Sequence, residues 1–140
     1  MTAIAHGVRT HPIDDKAVFG RLQRTLSKLA HWSEVFAETA YLPALVFPFV
    51  KLFGADELTC FESLATLLSS WFGDWCELYP APPMPALQAI EHVLAHHDGG
   101  LYDTLVKVGK GQPTKLIWTL MQTSLSEVFA QREWCKVWDH

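Results

Sequence analysis

Apolar residues recur at three- and four-residue steps along almost the whole chain, and that period predicts helix after helix. Asp14 and Asp15 follow Pro12 and are expected to open the first helix, where carboxylates suit the N-terminal end. Phe19, Leu22, Leu26 and Leu29 then form its inward stripe, with Arg21, Arg24 and Lys28 on other faces. Ser33 before Glu34 reads as the cap of a short helix ending near Thr39. The stretch from Tyr41 to Val50 has no polar side and is expected in the core. Pro43 fits a first helical turn, whereas Pro48 should kink or end that helix.

Asp56 is expected to cap the longest helix, running to about Tyr79 with the stripe Leu64, Leu68, Trp71, Trp75 and Leu78. Phe61 and Leu67 widen that stripe enough to bury it on two neighbours. Four prolines between Pro80 and Pro85 predict a stiff, extended connector. A helix from about Ala86 to His97 follows, with Leu87, Ile90 and Leu94 inward and Asp98-Gly99-Gly100 closing it in the C′ manner. Leu101 to Val108 reads as a short helix and Gly109 to Pro113 as a loop. Ile117, Met121, Leu125 and Val128 predict another long helix, and Arg132 to Trp138 a last one carrying Trp134 and Trp138. No strand-period segment flanked by turns is present, so the fold class is all-α, with residues 1–140 as a single domain.

Composition narrows the function classes. Hydrophobic residues make up 49% of the 140 positions and charged ones 19%, which excludes a disordered tail. A formal net charge of −4 argues against nucleic acid as a partner. The longest apolar run, Tyr41 to Val50, is too short to span a bilayer, and Met1 to Arg9 lacks a leader's apolar region. A soluble intracellular protein with no direct membrane insertion is therefore expected. Cys60, Cys76 and Cys135 form no C-x-x-C pair and read as three buried thiols in a reducing compartment. Charge is unevenly spread: residues 1–30 carry five basic and two acidic side chains, residues 31–103 one basic and ten acidic. A solvated helix face explains the basic segment, and a docking surface for an acidic partner is the sharper alternative.

Candidate chemistry is sparse. His92 and His96 stand four apart, with His97, Glu91 and Asp98 beside them, a spacing that places two imidazoles on one metal ion. A third or fourth ligand is not evident, and histidines near a helix C-terminus are also favoured by its dipole. Gly109-Lys110-Gly111 lacks the strand and the spacing of a phosphate loop and reads as a helix connector. No nucleophile elbow and no cofactor motif occurs.

Three stretches resemble the TBC domain of Rab GTPase-activating proteins. They are Tyr41-Leu42-Pro43-Ala44-Leu45 with its continuation into Phe53-Gly54, Cys60-Phe61-Glu62-Ser63-Leu64, and Trp118-Thr119-Leu120 followed by Val137-Trp138-Asp139. Four further runs are similar to a WD-repeat-containing branch of that family found at centrosomes and cilia. They are Leu22 to Leu26, Leu29 to Trp32, Phe47 to Phe53, and Ser126 to Val128, and this similarity extends from about Pro12 to the end. The resemblance implies a multi-helix domain acting with GTP-bound Rab-type GTPases or with ciliary and centrosomal proteins, in the cytoplasm at cilium, flagellum or centrosome. The family's domain begins earlier and continues later than this chain, so a domain truncated at both ends is expected.

In the family an arginine and a glutamine are supplied in trans: one neutralises charge on the transferred phosphoryl, the other positions the attacking water. Tyr41 matches the family tyrosine, but Pro43 stands where the glutamine belongs and Ala44 where the glycine does. Proline has neither a side-chain amide nor a backbone N–H, so it orients no water. Arg9-Thr10-His11-Pro12 matches the family's Arg-Thr-x-Pro segment, with Ala3 and His6 replacing its isoleucine and aspartate. The degenerate finger positions are thus Arg9, Tyr41, Pro43 and Ala44. The implied function is a pseudo-activator in membrane trafficking, a Rab effector or scaffold rather than an enzyme. Alternatives are an activator using Arg9 as sole finger, and a metal-binding helical domain using His92, His96 and His97.

Overall fold

The computed structural model describes residues 16–140, which contain nine helices and no strand. The expected opening at Asp14 and Asp15 lies outside the described residues. Helix α1 (Lys16–Trp32) buries Leu22, Thr25, Leu26 and Leu29, the stripe its period predicts. Short α2 (Glu34–Glu38) begins after Ser33, which takes the N-cap position in extended backbone but makes no side-chain cap bond. Helix α3 (Leu42–Phe53) is the apolar rod of the core, burying eight of its twelve residues. Pro43 lies in its first turn, where a missing N–H leaves no helical bond unmade.

Pro48 does not end α3; the helix continues through it to Phe53. Its neighbours over-determine the path. Leu45, Val46, Phe49 and Val50 are all buried, and helices α1 and α4 (Glu57–Ser70) both pack on α3. Burial of that whole apolar stretch offsets the lost bond.

Asp56 caps α4 as its position predicts, accepting the Thr59 N–H at 3.1 Å. The expected helix to Tyr79 breaks, however. Helix α4 stops at Ser70 and a separate α5 (Gly73–Glu77) follows. The Leu67 carbonyl accepts both the Trp71 and Phe72 N–H groups, at 2.8 and 3.1 Å, which closes the helix end. A side chain at Gly73 would approach the Leu68 carbonyl to 3.2 Å, so glycine lets the chain fold back there. The break rotates the aromatic stripe: Phe72 and Trp75 are buried, while Trp71 is 74% exposed.

Helices α6 (Met84–His97), α7 (Gly99–Val108) and α8 (Pro113–Met121) pack on one another. Helix α6 starts inside the proline run, with Pro85 in its first turn, so the extended connector is shorter than predicted. Asp98 ends α6 and caps α7, accepting the Leu101 N–H at 2.9 Å. Gly99 and Gly100 are therefore the first residues of α7, not a C′ stop for α6. The Gly109–Pro113 connector is held rather than loose. Lys110 and Gly111 both take positive φ, and the Gly111 N–H reaches the Val106 carbonyl at 2.9 Å.

The predicted long helix through Leu125 and Val128 stops at Met121. Ser124 and Leu125 adopt consecutive left-handed conformations, φ 53° and 63°, which no right-handed helix accommodates. Helix α9 (Gln131–Trp138) then lays Trp134 and Trp138 edge-on against Phe49, with ring centroids 5.0 and 5.1 Å away. All three cysteines are free; Cys60 and Cys76 are buried as expected, whereas Cys135 is only half-buried. No helix among the described residues is long and apolar enough to cross a membrane.

Candidate functional site

Tyr41, Pro43 and Ala44 fall at the N-terminus of α3, where the apolar rod meets α5 and α8. Tyr41 takes the N-cap position, and its hydroxyl donates to the Trp75 carbonyl at 2.7 Å. Its ring stands edge-on to Trp118 at 5.2 Å and to Tyr79 at 6.0 Å. Trp75 and Trp118 are themselves edge-on at 5.5 Å, so four aromatic rings clamp the start of α3. Burial, and next the Cys76 thiol, push the Tyr41 hydroxyl well above its ordinary pKa, so it stays protonated as a donor. Burial likewise raises the Cys76 thiol.

Pro43 and Ala44 are both buried. Neither offers a side chain to solvent, and the tyrosine beside them spends its hydroxyl on the fold. Arg9 lies outside the described residues, with its neighbours Ala3 and His6. The structure thus places three of the four predicted positions in one packed aromatic corner at the start of α3.

The histidine cluster does not assemble into a metal site. The His92 and His96 rings lie tilted to one another with centroids 4.1 Å apart, but His96 Nδ1–H donates to the His92 carbonyl at 2.9 Å. The further ligands are engaged elsewhere: Glu91 accepts from the Tyr102 hydroxyl at 2.9 Å, and Asp98 caps α7. Among the described residues no three His, Cys, Asp or Glu side chains converge. The metal-binding alternative built on His92, His96 and His97 is corrected accordingly.

The basic first segment is partly spoken for. Arg24 forms a two-pronged contact with Glu57 on α4, Nε at 3.1 and 3.2 Å and Nη2 at 2.5 Å, and Lys28 Nζ joins at 3.4 Å. The Arg24 guanidinium holds the Glu57 carboxyl down at about 2, with Lys28 adding to the effect. Two of the five cations are therefore structural ties between α1 and α4, not a free docking face.

Two features escape a sequence reading. One is a groove of about 230 Å³ between α2 and α5, lined by Trp32, Ser33, Val35, Phe36, Leu68, Ser69, Gly73 and Glu77. Its walls come from segments about forty residues apart, and the uneven acid count of residues 31–103 is the one signal that bears on it. The other is a knot at Ser124. Its Oγ donates to the Leu45 carbonyl at 2.8 Å, and its own carbonyl accepts Trp134 Nε1–H at 2.7 Å and Trp138 Nε1–H at 3.3 Å.

Comparison with known proteins gives a consistent lineage. The chain is 44% identical over 130 residues to TBC1 domain family member 31 of Xenopus tropicalis, covering 93% of this chain and 12% of that protein. It is also 44% identical over 132 residues to the proteins of that name from Homo sapiens and Bos taurus, covering 94% of this chain and 12% of each. The chain therefore spans about an eighth of the length of these relatives. No family model and no solved structure matches it.

Proposed function

Taking as premise that this chain is a relative of TBC-domain proteins, we propose that it is a helical module that binds a GTP-loaded Rab-type GTPase without supplying the two-finger chemistry. It works as an effector or scaffold, in the cytoplasm at cilium, flagellum or centrosome. One observation carries the reading: the position matched to the water-aligning glutamine is a buried proline at the N-terminus of α3. A finger has to project into a partner's nucleotide site, because its contribution comes from meeting charge that develops on the transferred phosphoryl. Pro43 has no amide to project, and Ala44 beside it is enclosed by the same packing. Tyr41 also serves the fold, through its hydrogen bond to Trp75.

The test is binding selectivity. A panel of Rab GTPases is loaded with GDP or with a non-hydrolysable GTP analogue and titrated with the chain by calorimetry. An effector binds at least one analogue-loaded member about tenfold or more tighter than its GDP form, which corresponds to about 1.4 kcal/mol of differential affinity. Equal affinity for both forms across the panel refutes the effector reading. A second reading, activation through Arg9 alone, is favoured by the Arg9-Thr10-His11-Pro12 match and keeps the GTPase's own glutamine as the water-aligning group.

A further inference from the structure

We propose that the groove between α2 and α5 docks a basic polypeptide segment anchored by an apolar side chain. Three independent features of this surface select the same chemistry. The first is the floor. Val35, Phe36, Leu68 and Gly73 leave an apolar recess of about 230 Å³ between two helices that pack on each other. A recess of that size takes a single large aliphatic or aromatic side chain, the usual form of an interface anchor.

The second is the wall. Trp32 ends α1 with half its surface exposed, at 50%. The rings of Phe36 at 5.7 Å and Phe61 at 6.3 Å hold it in place. An ordered, half-exposed indole presents a face to which ammonium and guanidinium groups are attracted.

The third is the charge. Glu34 and Glu38 stand four apart on α2, and Asp74 and Glu77 three apart on α5, so each pair shares a helix side. All four are exposed, Glu77 lines the groove itself, and Glu34, Glu38 and Asp74 lie within one turn of lining residues. None of the four forms an ion pair among the described residues, and no Lys or Arg lines the groove. The cations nearest along α1, Arg24 and Lys28, are already engaged by Glu57. An apolar recess under uncompensated carboxylates repels anionic lipid and nucleic acid and attracts a Lys- or Arg-flanked apolar anchor.

The experiment uses the full chain and short synthetic helical peptides, with no GTPase present, so its failure leaves the Rab reading standing. The probe peptide carries leucines at three- and four-residue steps and lysines elsewhere. One control replaces its lysines by glutamates, and the other replaces its leucines by serines. Binding is read by fluorescence anisotropy and mapped by amide chemical shifts. The expected result is binding of the lysine–leucine peptide alone, with shifts centred on Trp32, α2 and α5. Affinity should fall about tenfold or more in the Glu38→Lys/Glu77→Lys variant. It should also fall with added salt. Both substitutions are on exposed positions, and an unchanged melting temperature verifies that the variant folds. The proposal is overturned if the lysine–leucine peptide does not bind, if either control peptide binds as well, if the shifts centre elsewhere, or if the charge-reversed variant binds unchanged.

Discussion

Replacing Ser124 by alanine removes one hydroxyl and tests how the segment after α8 is fastened to the core. Ser124 is 1% exposed, and its Oγ reaches 79 residues back along the chain to the Leu45 carbonyl at 2.8 Å. Leu45 lies in the turn before Pro48, which cannot donate to the Ala44 carbonyl next to it. The hydroxyl thus adds a donor inside α3 at the Leu45 carbonyl, one residue along from the carbonyl that Pro48 leaves short. Losing this buried hydrogen bond costs about 0.5–1.5 kcal/mol net. Backbone strain cancels, since serine and alanine bear similar cost at φ 53°. Two residues on, Ser126 is an internal control: its Oγ is buried and has no partner, so Ser126→Ala is expected to be neutral or stabilising. The assay is urea unfolding of both variants beside the parent, with the slope checked for constancy. A loss under about 0.5 kcal/mol for Ser124→Ala, or an equal loss for Ser126→Ala, refutes the reasoning.

Pro43→Gln, which puts there the glutamine that the resemblance implies, is expected to confer no stimulation of GTP hydrolysis and to cost about 1–3 kcal/mol, because the new amide is buried without a partner; a gain of stimulation sinks the packing interpretation. The Arg24–Glu57 tie gives an acid limb. With Glu57 held at about 2 against 4.5 unfolded, its contribution is present above pH 4.5 and fades as the pH falls towards 2, so the melting temperatures of the parent and Glu57→Gln should converge there. Burial pushes the Cys60 thiol to about 11 from 9, so its contribution is present below pH 9 and is lost as the pH rises towards 11, a limb that Cys60→Ala should lack.

Much of the fold is legible in the sequence where a signal is local. Asp56 announces its helix through one carboxylate at the right offset, and Pro43 sits where proline is harmless. Errors arise where two structures satisfy one pattern. Leu64, Leu68, Trp71, Trp75 and Leu78 keep helical spacing in the sequence across a break that leaves Trp71 and Leu78 exposed; only Phe72-Gly73 marks the turn. Leu125 and Val128 extend a helical stripe by spacing, yet Ser124 and Leu125 are left-handed without glycine or asparagine to signal it. Their conformation is imposed by tertiary bonds to Leu45, Trp134 and Trp138 that no local pattern encodes. At the candidate site, the apolar character of residues 41–50 predicts burial of Pro43 and Ala44 correctly. The tyrosine clamp and the α2–α5 groove join residues far apart in the chain, and neither is visible in spacing.

Single-turnover GTP hydrolysis probes the absence of a working finger most directly. Each Rab of a panel, preloaded with GTP, is mixed with excess chain, and phosphate release is compared with the intrinsic rate. Without a working finger, rates stay within about tenfold of intrinsic for every member, whether or not Arg9 is replaced by alanine, since a supplied arginine finger alone is worth about 10³–10⁵. Acceleration on that scale, abolished by Arg9→Ala, contradicts that absence.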